Sequence, residues 1–468
     1  MNTKEPFKKI LISVFVILGV SIILLAFLSD HSNTKVVNIK LIGDRENASI
    51  KNQRVDIKFS KPISKEDSRL EVLIKAENSD QKITTKQFIL GTRVIIDLDE
   101  NLDYSTKYLV EITGLKDVYK KDVQSYSFDF QTIAPGFYYL ENGDQKDRIM
   151  LYTLESREKI QIFEAEDIEL YAFNSDYMAI VIEKAQYSTL SVVRLKDKKL
   201  VEELKFDFKQ VGKLDITQRS NKIVYTLQEY EYQDEFVVPT TGFEVFYLDI
   251  QKGDPTKLQY GELDFDVNEL VLSPDDNFIL VEDSTEGYYL IDLNDTRAGI
   301  PLGRFVSTGG FNSQADKIIF LSFEPENLER DIFITYFDIK EGLKNITTGD
   351  YEVIDPRFFN TSDELVYSRF KDSLDSRGIY RIVRSTLAGE EKALLDLEGY
   401  SLEYPLTSYD DQYLVAEKYP YDSLVDFNYS RSTGYLTKPN SAELIVLDLT
   451  TNKLIVEGIT GIDARWIW

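Results

Sequence analysis

The stretch Leu272-Ser273-Pro274-Asp275-Asp276-Asn277-Phe278-Ile279-Leu280-Val281 runs from an apolar residue into a polar corner and straight out into an apolar segment. Pro, Asp and Asn favour a tight reversal, and the aliphatic and aromatic residues beyond it favour an extended chain. The stretch therefore predicts two antiparallel strands joined by a turn. The same device recurs at Phe173-Asn174-Ser175-Asp176, Ile216-Thr217-Gln218-Arg219-Ser220-Asn221, Phe311-Asn312-Ser313-Gln314-Ala315-Asp316, Phe359-Asn360-Thr361-Ser362-Asp363 and Leu406-Thr407-Ser408-Tyr409-Asp410-Asp411. The steps between corners are roughly 40 to 55 residues, the period of repeated four-stranded blades.

After each corner comes a strand such as Lys317-Ile318-Ile319-Phe320. A third follows, as in Tyr288-Tyr289-Leu290-Ile291-Asp292-Leu293 or Leu444-Ile445-Val446-Leu447-Asp448-Leu449. The first unit begins directly with Phe137-Tyr138-Tyr139-Leu140 and lacks a first strand, whereas Ile462-Asp463-Ala464-Arg465-Trp466-Ile467-Trp468 is a lone strand at the other end. Pairing the two completes one blade and leaves no open edge. We therefore expect an all-β chain whose residues 135–468 form a propeller of about seven blades closed by the C-terminal strand. A string of separate sandwiches would leave both half-units unexplained. The corner Ser273-Pro274-Asp275-Asp276-Asn277 resembles the Phe-Ser-Pro-Asp-Gly motif of WD-repeat-like propellers related to those of the periplasmic Tol system and of prolyl oligopeptidases. The other five corners share only its polar character.

Upstream, residues 36–134 read as a separate sandwich. Val37-Asn38-Ile39-Lys40-Leu41, Val55-Asp56-Ile57-Lys58-Phe59, Arg93-Val94-Ile95-Ile96-Asp97 and Tyr108-Leu109-Val110-Glu111-Ile112 alternate with period two, and about seven such runs fit into a hundred residues. Phe59-Ser60-Lys61-Pro62, Leu102-Asp103-Tyr104-Ser105-Thr106-Lys107-Tyr108 and Phe128-Asp129-Phe130-Gln131-Thr132 resemble motifs of the bacterial Ig-like domains found in surface-layer and adhesin proteins. That resemblance implies a stalk or spacer.

Residues 1–30 read as a cytoplasmic tail and transmembrane helix. Lys8 and Lys9 precede an apolar stretch from Ile10 to Leu28; nineteen helical residues span about 30 Å of hydrocarbon. A cleaved signal peptide would have a shorter apolar core and a small-x-small exit, unlike Leu25-Ala26-Phe27-Leu28-Ser29-Asp30. The basic tail places the N-terminus inside and everything after Asp30 outside the cytoplasmic membrane, as a single-pass signal-anchor protein.

Composition narrows the chemistry. The 468-residue chain carries a formal charge of −26, which opposes nucleic-acid binding. It has no cysteine and one histidine, His31, so disulfides, thiolate sites, a Ser-His-Asp triad and multi-histidine metal sites are excluded within one protomer. There is no Gly-x-Ser-x-Gly elbow, phosphate-binding glycine loop, His-Glu-x-x-His or EF-hand spacing. No catalytic, cofactor or metal residue is expected. Acid pairs such as Asp275-Asp276 and Asp410-Asp411 could serve a surface glycan hydrolase or lyase, but they lie in corners where Asp is a turn former.

Loop length carries the functional reading. Between second and third strands most units turn tightly, but about 228–242 and 417–441 are inserted, with smaller extensions at 323–330 and 370–377. The first insertion holds Tyr230, Tyr232 and Phe236; the last holds Tyr419, Tyr421, Phe427, Tyr429 and Tyr435. Long tyrosine-bearing loops on a rigid scaffold favour binding. The expectation is a non-catalytic binding or scaffold protein of a bacterial cell envelope, facing an envelope protein or polysaccharide.

Overall fold

The computed structural model describes residues 17–18 and 33–468, except 234–235, 259–265, 294–298, 324–331, 347–352, 371–379, 421–441 and a few single positions. Its described secondary structure from residue 33 onward is strand. The chain divides into two compact units, residues 1–100 with 106–132, and residues 101–105 with 133–468. The apolar stretch 10–28 lies outside the described residues except at two positions. Among those described, no helix is long and apolar enough to cross a membrane.

The first unit holds seven strands in two antiparallel sheets. One sheet is ordered β1 (Val36–Lys40), β2 (Arg54–Phe59), β5 (Arg93–Leu98) and β4 (Thr85–Leu90); the other is β3 (Glu71–Ala76), β6 (Lys107–Thr113) and β7 (Tyr126–Gln131). Their alternation sends Val55, Ile57, Phe59, Val94, Ile96, Val110, Ile112 and Phe130 inward, all nearly inaccessible to solvent. Tyr108 stacks on Phe130 with ring centroids 5.5 Å apart.

The second unit is a β-propeller. Its sheets, in chain order, begin with β8 (Gly136–Glu141), β9 (Asp147–Thr153) and β10 (Lys159–Ala165). Next come β11 (Ile168–Phe173), β12 (Tyr177–Lys184), β13 (Tyr187–Arg194) and β14 (Lys199–Asp207). The third is β15 (Lys209–Ile216), β16 (Lys222–Gln233), β17 (Phe236–Pro239), β18 (Glu244–Asp249) and β19 (Pro255–Lys257). The fourth is β20 (Val267–Leu272), β21 (Phe278–Asp283), β22 (Gly287–Asp292) and β23 (Ile300–Gly303), and the fifth β24 (Ser307–Phe311), β25 (Lys317–Phe323), β26 (Ile332–Asp338) and β27 (Gly342–Ile346). The last two are β28 (Val353–Phe358), β29 (Leu365–Phe370), β30 (Tyr380–Ser385) and β31 (Glu391–Asp396), then β32 (Tyr400–Thr407), β33 (Tyr413–Pro420), β34 (Glu443–Asp448) and β35 (Lys453–Thr460). The C-terminal β36 (Ile462–Trp466) joins β8, completing the first sheet in the order β10-β9-β8-β36.

Ring closure is visible in the packing. Neighbouring sheets share apolar clusters in sequence, and the cycle returns to its start through Phe137, Tyr139 and Tyr152 of the first sheet against Val415, Leu444 and Val446 of the last. Each sheet therefore buries both faces, and the sheets stabilise one another as repeats do. Trp466 is the key of the closing strand. It is 1% exposed, sits edge-on to Phe137 at 5.5 Å, and donates its indole N–H to the Leu406 carbonyl at 2.8 Å.

Candidate functional site

The corners quoted above are small hydrogen-bonded caps. Asn174 Oδ1 accepts from the Asp176 and Tyr177 amides, and Ser273 Oγ accepts from the Phe278 amide while donating to Asp275 at 2.6 Å. A short polar side chain that bonds its own backbone is what a tight reversal needs. These caps also join one sheet to the next. Asn174 Nδ2 donates to the Thr217 carbonyl, Asn312 Nδ2 to Asp363, and the Asn360 amide to Asp411, at 2.9 to 3.0 Å.

Farther along the same strands a second regularity appears. The first strand of each of the second to seventh sheets, and β36 in the first sheet, breaks its pairing register near its middle or start. A bulge inserts a residue and re-aims side chains. Asp355, Tyr404 and Asp463 sit at these breaks with φ near +50°. In the fifth sheet the break falls at Gly309 and Gly310: Gly310 takes the positive φ, 84°, and at Gly309 a Cβ would lie 1.8 Å from the Pro356 carbonyl oxygen of the next sheet.

Charged groups collect beside the bulges. The Glu417 carboxylate, 2% exposed, accepts the Asp463 amide at 2.6 Å and the Tyr419 hydroxyl. Burial pushes its pKa up to about 8. Glu403 is also buried and accepts from Ser401 Oγ at 2.9 Å. The Asp355 carboxylate accepts the Tyr404 amide at 3.3 Å, and Asp215, raised by burial, accepts the Leu272 and Ile216 amides. Arg465 forms a two-pronged pair with Asp463 at 3.1 and 3.2 Å and lies 5.1 Å over the Tyr171 ring. A buried glutamic acid held protonated near neutrality is the state a general acid needs. Here, however, each carboxyl oxygen of Glu417 has an internal donor, so the group clasps the last sheet to the closing strand. Among the described residues no cluster of carboxylates or histidines has metal-ligand geometry.

The predicted partner residues divide. Tyr230, half-buried, and Tyr232 lie on the far half of β16, which extends beyond β18 and pairs with β17; Phe236 begins β17. This ribbon runs Tyr230 against Pro239 and Gln233 against Phe236 across the turn at 234–235. Its base is held by Gln228 Nε2 to the Thr241 carbonyl at 3.1 Å and by the Glu229 amide to Thr241 Oγ1 at 3.0 Å. Tyr419 is placed otherwise. It lies inside β33, 0% exposed, and offers no surface to a partner. Tyr421, Phe427, Tyr429 and Tyr435 fall outside the described residues. The Glu417–Asp463–Arg465 network is not readable from local sequence; an acid directly after the apolar run Leu414-Val415-Ala416 of β33 is its available signal.

Residues 33–132 match a family model described as a bacterial Ig-like domain. No curated protein matches the chain. Solved structures similar to it include an uncharacterized protein from Listeria monocytogenes EGD-e, 13% identical over 68% of this chain and 90% of that one, with a TM-score of 0.46. TolB from Acinetobacter baumannii is 11% identical over 70% and 80%, with a TM-score of 0.39. The β-propeller domain of the Trilobed protease from Pyrococcus furiosus is 12% identical over 89% and 93%, with a TM-score of 0.31.

Proposed function

We propose that the protein is a non-catalytic binding scaffold of a bacterial envelope: a seven-bladed propeller and an Ig-like spacer held outside the cytoplasmic membrane by the apolar segment 10–28. The observation that carries this reading is the shared position of the long connections. The β16–β17 ribbon, 324–331, 371–379 and 421–441 all follow the second strand of a sheet and precede the third. Equivalent connections in a propeller leave from one side of the disc. The partner is an envelope protein or a polysaccharide, met by that side.

The test is capture of partners from solubilised envelope by the full chain, beside a version in which 421–441 is replaced by a short turn and another in which 230–239 is shortened. Loss of one retained partner by either folded variant supports the reading. Equal capture by all three removes the loops from recognition. The rival is a surface glycan hydrolase or lyase using carboxylates on the propeller face, such as Asp275-Asp276 or Asp410-Asp411. Hydrolysis of an envelope glycan by the chain, lost when one of these pairs is changed to Asn, would favour it over the scaffold.

A further inference from the structure

The geometry points to a membrane-contact surface at one end of the Ig-like unit, built for a bilayer containing anionic lipid; it rests on the anchor reading above. The end is marked by Thr34, whose hydroxyl donates to the Asp117 carboxylate at 2.9 Å. Thr34 lies only six positions beyond Leu28, the last of the apolar stretch. Such a linker reaches at most about 20 Å. Whatever end of the domain carries Thr34 is therefore held at the lipid surface if the stretch spans.

That end is apolar at its tip. Val118 and Tyr119, directly after Asp117, are 48% and 47% exposed, and Leu90, beside the Gly91 turn, is 59% exposed. Backbone bonds make them one patch: the Val118 amide donates to the Pro62 carbonyl at 3.1 Å and the Ile63 amide to the Gly91 carbonyl at 2.8 Å. The tip is rigid. Asp117, 1% exposed, accepts the Tyr119 and Lys121 amides at 2.9 and 3.0 Å, and Lys120 takes a φ of 62°. Two large apolar side chains held out in water by a buried cap gain by leaving it, and tyrosine favours the headgroup level.

Its charge runs against that of the molecule. Lys35, Lys65, Lys116, Lys120 and Lys121 surround the tip, against Glu66, Asp67 and Asp122, with Lys61 and Asp117 buried beneath, in a chain of net charge −26. The Lys61 ammonium lies 5.1 Å over the Tyr119 ring. Lys116 and Lys120 meet Asp122 and Asp67 only at 3.8 and 3.6 Å, and such exposed pairs yield readily to a competing phosphate. A basic ring around an apolar tip matches the arrangement by which proteins rest on anionic bilayers.

The chain has no native cysteine, so single labels can be placed at will. Full-length Val118→Cys, Ile17→Cys and Lys252→Cys, each carrying an environment-sensitive fluorophore, are reconstituted in nanodiscs of phosphatidylcholine with or without phosphatidylglycerol. Nitroxide lipids report contact. With phosphatidylglycerol, headgroup nitroxide is expected to quench the label at 118 at least twofold more than at 252. Lys116→Glu, Lys120→Glu and Lys121→Glu together are expected to halve that quenching without changing circular dichroism. Quenching at 17 by mid-chain nitroxide with none at 118 overturns the contact and leaves the anchor standing. No quenching at either position overturns both. Equal quenching at 118 with and without phosphatidylglycerol overturns the anionic-lipid preference.

Discussion

The Asp463 amide donates to the Glu417 carboxylate at 2.6 Å across the seam where the last full sheet meets the strand that completes the first. The Tyr419 hydroxyl meets the same carboxylate. Ring closure thus rests partly on an ionisable group enclosed by protein, whose charged form is disfavoured by burial.

A pH dependence follows. The Glu417 pKa rises from 4.5 to about 8 on folding, so the native state keeps a proton that the unfolded chain releases. Its contribution to stability is fully present below about pH 4.5 and is lost as pH rises to about 8, by at most on the order of 5 kcal/mol. Groups facing it include Glu403, Asp463 and the Tyr419 hydroxyl. Glu417→Gln keeps an acceptor and cannot ionise. The difference in unfolding free energy between wild type and Glu417→Gln, measured from pH 5 to 9, should change in favour of the variant up to about pH 8 and level off above it; a difference flat throughout refutes the assignment.

Trp466 tests the seam by packing. Its ring fills the space between Phe137 and Tyr413, with centroids 5.5 and 6.1 Å away, and its N–H holds the Leu406 carbonyl. Trp466→Ala leaves a cavity and an unpaired carbonyl, and should cost about 3–5 kcal/mol in denaturant unfolding. A loss below about 1 kcal/mol would show that the closing strand contributes little.

The corner caps should be unequal to ordinary turns, because they serve two sheets. Asn174 is 1% exposed, caps its own corner through Oδ1, and uses Nδ2 to reach the Thr217 carbonyl and Asn221 Oδ1, each at 3.0 Å. Asn174→Ala removes both functions and should lower stability by about 2 kcal/mol. Asn221→Gly, which keeps the left-handed φ of 52° without strain, removes only one of these side-chain bonds and should cost less than half as much. Chemical denaturation of both variants settles the order, and equal losses would show that the Asn174 cap and its bond to Thr217 add nothing beyond the bond to Asn221.

The corners and the closing strand were legible because their signals are local. Asn, Ser and Asp cap turns wherever they stand, and a missing first strand is a matter of counting runs. The polar seam was not legible. Glu417 and Asp463 are 46 positions apart, and the bulge between Ile462 and Arg465 shifts the alternation that would have assigned their faces. Tyr419 misled for a related reason. Loop length places it within the insertion at about 417–441, yet β33 continues to Pro420 and pairs Tyr419 with Ser401, keeping the ring inside.

Gly309 gives the sharpest backbone test. At this bulge a Cβ would stand 1.8 Å from the Pro356 carbonyl oxygen and 2.5 Å from Ile319 Cγ2. The first atom is backbone of the neighbouring sheet and cannot rotate away, so Gly309→Ala must part the fifth and sixth sheets or break the bulge. Gly342 has a φ of 86° but nothing within 4 Å of an added Cβ, so Gly342→Ala strains only its own turn. Gly309→Ala should therefore lose at least about 2 kcal/mol more than Gly342→Ala in parallel denaturation curves. Equal losses would mean that the two sheets part at little cost and that their close approach does not dictate glycine at 309.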